Sequence, residues 1–101
     1  MGKIHSKSIE QLYKTLLCLE SEDECASFLE DICTIKELQD ISQRLQVAIM
    51  LSGGSNYQEV SKETGASTAT ICRVNKCLLY GDGGYKNALV KAGLIGEDKP
   101  E

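Results

Sequence analysis

The chain has 101 residues, of which 42% are hydrophobic, 26% charged and 5% aromatic, with one proline, no tryptophan and a formal net charge of −4. A chain of this size reads as one soluble domain that buries roughly two thirds of its unfolded surface, with no room for a second catalytic domain. An acidic average argues against nucleic acid, whose binding domains usually carry a basic footprint, but the charge is segregated. Residues 20–40 hold eight acids and one Lys, whereas residues 41–91 hold six bases and three acids. The stretch 41–91 is therefore net basic, at +3.

In chain order, Ile9, Leu12, Tyr13, Leu16 and Leu17 recur at helical spacing, and Ser8 with Gln11 predicts a capped start. Ser21 with Glu24 predicts the next cap, ahead of the stripe Cys25, Phe28, Leu29 and Ile32; the acids Glu22, Asp23 and Glu24 suit the positive end of that helix. Thr34 with Glu37 opens a third helix, whose apolar positions Leu38, Ile41, Leu45, Ala48, Ile49 and Leu51 run to the breaker Ser52-Gly53-Gly54. Ser55 with Gln58 predicts the cap of a short fourth helix to about Thr64. Ser67 starts a fifth reaching about Tyr80, and a sixth spans Tyr85 to about Ala92. No stretch alternates with period two and no repeat is evident, so the fold class is all-α. Residues 1–7 and 94–101 are expected to be disordered ends of a single helical domain covering 1–101.

Several chemistries find no support. The only histidine, His5, lies in an expected disordered end, so no metal site is expected. Cys18, Cys25, Cys33, Cys72 and Cys77 are odd in number and lack Cys-x-x-Cys spacing, which reads as free thiols of a reducing cytosol. Cys72 and Cys77 lie ~140° apart around one helix, unsuited to a disulfide, with Cys77 expected on the core side and Cys72 on the outer face. No Ser or Cys has a recognisable His base, so no enzyme is expected. Gly81-Asp82-Gly83-Gly84 follows a helix C-terminus and reads as a cap and turn, not a phosphate loop. No apolar run is long enough for a membrane span or signal-peptide core.

The informative stretch is Tyr57 to Leu79: a short helix, a turn at Gly65 and a second helix, the arrangement of a helix-turn-helix, with residues 55–80 as a reading head. Val60, Ala66, Ile71 and Val74 supply a small apolar set to lock the two helices. At ~100° per residue, Ile71, Val74 and Leu78 share one side of the second helix, while Thr68, Ala69, Cys72 and Lys76 gather on the other, with Arg73 at the flank. Small side chains let such a helix sit deep in the major groove, where Thr bonds base edges and methyl groups touch thymine. The helix N-terminal amides, Thr70, Arg73 and Lys76 are placed for phosphates. By itself the pattern also fits an ordinary helical hairpin with a solvated face.

The segments Cys33-Thr34-Ile35-Lys36-Glu37-Leu38-Gln39, Gln43-Arg44-Leu45, Thr64 to Asn75 (TGASTATICRVN) and Tyr80 to Tyr85 (YGDGGY) resemble the YerC/YecD branch of the Trp repressor family. The resemblance covers roughly Ser8 to Tyr85. It implies a six-helix chain intertwined with its twin as a homodimer, cytoplasmic and nucleoid-associated in a bacterium, that binds double-stranded DNA through the fourth and fifth helices. By position it places Thr68, Ala69 and Cys72 near bases and Tyr57, Ser61, Thr70 and Lys76 near phosphates. Gln58 stands where tryptophan-sensing members use Arg to contact a base, which implies a different operator.

The same resemblance matches Thr34, Arg44 and Arg73 to residues that hold tryptophan in the sensing branch, the two Arg flanking the indole. Val74, however, replaces a Gly there and would intrude on an indole, Asp31 replaces an apolar position, and Cys77 replaces a Ser near the ligand amino group. Tryptophan sensing is therefore not expected, no cofactor is implied, and an effector of other chemistry is left open. Two functions remain: a dimeric DNA-binding regulator, expected to repress, and a helical module that keeps the fold but binds a protein partner through its acidic helices.

Overall fold

The structure is a computed structural model that describes residues 6–96. His5 and residues 97–101, assigned above to disordered ends, lie outside the described residues. The described residues form six α-helices and no strand: α1 (Lys7–Leu17), α2 (Glu22–Ile32), α3 (Ile35–Ser52), α4 (Tyr57–Thr64), α5 (Thr68–Tyr80) and α6 (Gly84–Lys91). None is long and apolar enough to cross a membrane.

Helix starts follow side chains that satisfy amides left without intrahelical partners. The Ser6 hydroxyl, not that of Ser8, caps α1 by accepting the Ile9 N–H at 3.1 Å. Ser6 and Lys7, expected in a disordered end, are thus the cap and first residue of a helix. Ser21 accepts the Glu24 N–H at 3.1 Å, and Glu24 in turn accepts the Glu20 N–H at 3.0 Å. Thr34 and Glu37 cap each other across the start of α3, with bonds of 3.0 and 2.8 Å. At the other end of the chain Leu94 and Ile95, also expected to be disordered, are held: the Leu94 N–H donates to the Leu89 carbonyl at 2.9 Å, and Ile95 packs on the core.

The chain divides into two units, the first ending at Leu38 and the second beginning at Gln39. In the first, neither α1 nor α2 contains a buried residue. Leu12, Tyr13, Leu16 and Leu17 of the α1 stripe are all exposed, Leu17 at 85%. The amphipathic pattern is present, but two short helices cannot enclose an apolar face by themselves.

The second unit has a true core of Val47, Ala48, Val60, Ala66, Ile71, Val74 and Leu89, each at most 2% exposed. Val47 belongs to it although the spacing along α3 did not select it. Ile41 and Leu45, which the spacing did select, lie outside that core and remain exposed.

Candidate nucleic-acid interface

α4 begins at Asn56, not at Ser55. The Asn56 side chain accepts the Glu59 N–H at 2.9 Å, and Glu59 accepts the Asn56 N–H at 2.9 Å. Moving the box by one residue frees Gln58 from capping and leaves it exposed. The helix ends at Gly65, whose φ of +74° is left-handed and whose N–H donates to the Ser61 carbonyl at 2.9 Å. A residue with a Cβ is strained in that conformation, so the glycine is the chemical reason the chain can turn here.

Side chains close the rest of the turn. Thr64 Oγ1 donates to the Val60 carbonyl at 2.7 Å and accepts the Ala66 N–H at 3.1 Å. Ser61 Oγ donates to the Ala66 carbonyl at 3.2 Å, and Gln43 Nε2 reaches from α3 to the Thr64 carbonyl at 3.1 Å. Ser67 then caps α5, accepting the Thr70 N–H at 3.2 Å and sharing a 3.1 Å hydroxyl bond with Thr70 Oγ1.

α5 has two unlike faces. Ile71 and Val74 are each 1% exposed, packed with Val60 and Ala66, and Leu78 lies against the same cluster. Thr68, Ala69, Cys72, Arg73 and Lys76 are exposed. The helix contains no acid, so Arg73 and Lys76 give it local positive charge. Tyr57 and Gln58 stand exposed in the first turn of α4. Ser61 is exposed as a residue, yet its one hydroxyl proton is committed to Ala66, and Thr70 is half-buried.

Cys77 corrects an expectation, because it is exposed and not core-facing. It lies ~90° from the centre of the Ile71, Val74 and Leu78 stripe. There it borders a depression of about 430 Å³, with Leu45, Asp82, Tyr85 and Ala88 on its walls. Cys72 is exposed as the helical spacing requires, and all five cysteines are free thiols. Of the residues matched to a tryptophan site, Thr34 is engaged as the cap of α3 and falls in the first unit. Arg44, half-buried, and Arg73, exposed, fall in the second.

Sequence reasoning gave Gln43, Thr64 and Asn56 no role at the site. Asn56 and Glu59 carry a recognisable three-residue signal, one step from the pair chosen. Gln43 acts across 21 positions, which no local pattern reveals.

The family model for Trp repressor protein matches residues 7–92. The uncharacterized protein YerC of Bacillus subtilis (strain 168) is 48% identical over 89 residues, covering 88% of this chain and 86% of that protein. Among solved structures, a candidate Trp repressor from Staphylococcus aureus superposes with a TM-score of 0.86 at 39% identity, covering 92% of this chain and 93% of the other. A TrpR-like protein from Eubacterium eligens ATCC 27750 gives 0.85 at 42% identity, covering 91% and 95%.

Proposed function

The chain belongs to the Trp repressor family, and on that footing we propose that it is a sequence-specific DNA-binding regulator, expected to repress. It binds a pseudo-palindromic operator as a symmetric, intertwined homodimer, with α4 and α5 as the helix-turn-helix of each half. The observation that carries this reading is the division of α5: Thr68, Ala69 and Cys72 stand exposed over a side anchored by the buried Ile71 and Val74. A small, uncharged leading face backed by a fixed core is what entry into the major groove requires.

In this reading Gln58, Thr68, Ala69 and Cys72 meet base edges, while Tyr57, Thr70, Arg73 and Lys76 meet phosphates. With its O–H turned inward, Ser61 serves the turn in place of the phosphate role first expected. The acidity of residues 20–40 belongs to the scaffold and keeps DNA away from it. Dimerisation is supported by what the monomer leaves uncovered, namely the apolar stripe of α1 together with Ile32, Ile35, Ile41 and Leu45. Exposed apolar side chains of this size, present in each unit taken by itself, mark an interaction face. Tryptophan is not the expected corepressor, because the resemblance puts the β-branched Val74, a buried core residue here, where the sensing branch has Gly beside the indole. Any small-molecule effector has a different chemistry, and titration with tryptophan in a calorimeter should give no micromolar binding heat, a result that such heat would overturn.

Selection from a random pool of duplex DNA tests the function. The expected product is an enriched palindrome with half-sites about one helical turn, ~34–36 Å, apart. No enrichment at low salt, from protein shown to be dimeric, would instead favour a protein-binding module built on the acidic helices.

A further inference from the structure

The 3.1 Å bond from Gln43 Nε2 to the Thr64 carbonyl differs in kind from the rest of the turn. The bonds of Ser61, Thr64 and Ser67 span five residues or fewer and hold the turn to itself. The Gln43 bond ties the turn to a different helix. We infer that Gln43 is a positioning residue for DNA recognition: its side-chain amide pins the α4–α5 turn to α3 and so fixes the angle at which α5 is presented. The inference rests on the reading of α5 as the DNA-reading helix.

The covalent link between α3 and α4 is the short segment 53–56, which contains Gly53 and Gly54, the latter at a φ of +95°. A link of that composition permits the head to pivot. The apolar contact that opposes pivoting joins Val47 and Ala48 of α3 to Val60, Ala66, Ile71 and Val74. Burial of small apolar side chains is non-directional, so it constrains the angle less sharply than an oriented contact does. A hydrogen bond weakens steeply as its geometry departs from linear, so it is such a contact. Gln43 lies nine residues before Ser52, about 13–14 Å along the helix from the covalent link. The head is therefore held at two separated points.

The Thr64 carbonyl is the right acceptor for this purpose. It lies in the last turn of α4, where backbone carbonyls have no intrahelical donor, immediately before Gly65. A Cβ built on Gly65 would stand 4.0 Å from Gln43 Nε2, so the amide reaches the turn itself. Because two heads act on one DNA duplex, an angular change in each head alters the separation of the two reading helices.

The test compares wild type with Gln43→Ala and Gln43→Met, the latter preserving length and bulk without a donor. Amide hydrogen exchange at Gly65 and Ala66 should quicken roughly tenfold in both variants, the order expected for one part-buried hydrogen bond, while exchange at Leu89 stays unchanged. The DNA arm uses duplexes carrying the wild-type-selected half-site twice, with the spacer varied one base pair at a time. Wild type should prefer one spacing by about tenfold, and both variants should bind neighbouring spacings within about threefold. Unchanged exchange in the turn overturns the inference, as does a Gln43→Met profile matching wild type, which would assign the effect to packing. A wild-type spacing preference retained in Gln43→Ala also overturns it. If wild type selects no DNA at all, the functional reading fails, and the exchange result alone then decides whether the tether exists.

Discussion

The Ser61 hydroxyl donates to the Ala66 carbonyl oxygen at 3.2 Å, closing the turn between α4 and α5 from within. A phosphate accepts hydrogen bonds and cannot supply one, so Ser61 can meet DNA only by giving up this bond. Ser61→Ala is therefore expected to lower the unfolding free energy by about 0.5–1.5 kcal/mol while operator affinity of the folded protein changes little. Denaturant titration and fluorescence anisotropy measure the two. A tenfold loss of affinity without a loss of stability would return Ser61 to the phosphate contacts.

Thr68 opens α5, exposed and beside the cap residue Ser67. Replacing it with Ala removes a hydroxyl able to bond a base edge, at about 1–3 kcal/mol for a good edge contact. Selection with Thr68→Ala should yield a consensus relaxed at one position of each half-site.

Lys76 lies on the same face two turns on. Lys76→Ala should weaken binding to selected and random sequences alike and reduce the slope of log affinity against log salt by about one unit per subunit. If both substitutions lowered affinity without changing preference, the division between reading and anchoring residues would be wrong.

Gly65 has space for a Cβ, its nearest neighbour being Gln43 Nε2 at 4.0 Å, but a φ of +74°. The cost of Gly65→Ala is thus conformational, about 1–2 kcal/mol, and Gly65→Asn should cost less. Thermal unfolding of the two variants checks the order.

Gln58 and Asn56 separate two roles that the sequence had joined. Asn56→Ala should cost about 1 kcal/mol as a lost cap. Gln58→Ala should leave stability unchanged and alter base preference, because the cap is made by Asn56 and Glu59.

The helices and the head were legible because their signals are local. Apolar spacing, Ser or Thr ahead of Glu, and a glycine between two short helices all act within a few residues, and Val60, Ala66, Ile71 and Val74 were selected on that basis and are buried. Where two capping pairs lay close together, local chemistry did not discriminate, and Ser6 and Asn56 displaced Ser8 and Ser55. Contacts between distant positions were not legible. Gln43 meets Thr64 only after α3 and α4 are placed, and the exposure of Ile41 and Leu45 depends on which neighbouring surface exists. Cys77 was misassigned because it sits at the margin of its helix's apolar stripe, where a small error in angle changes the side.

The central claim is that α5 reads DNA as one of a symmetric pair. Footprinting of the selected sequence bears on it most directly. Two protected half-sites related by a dyad, one helical turn apart, are predicted, with protection lost in step when Thr68 and Lys76 are both replaced by Ala. A single protected patch without symmetry, or protection indifferent to those two residues, would contradict it.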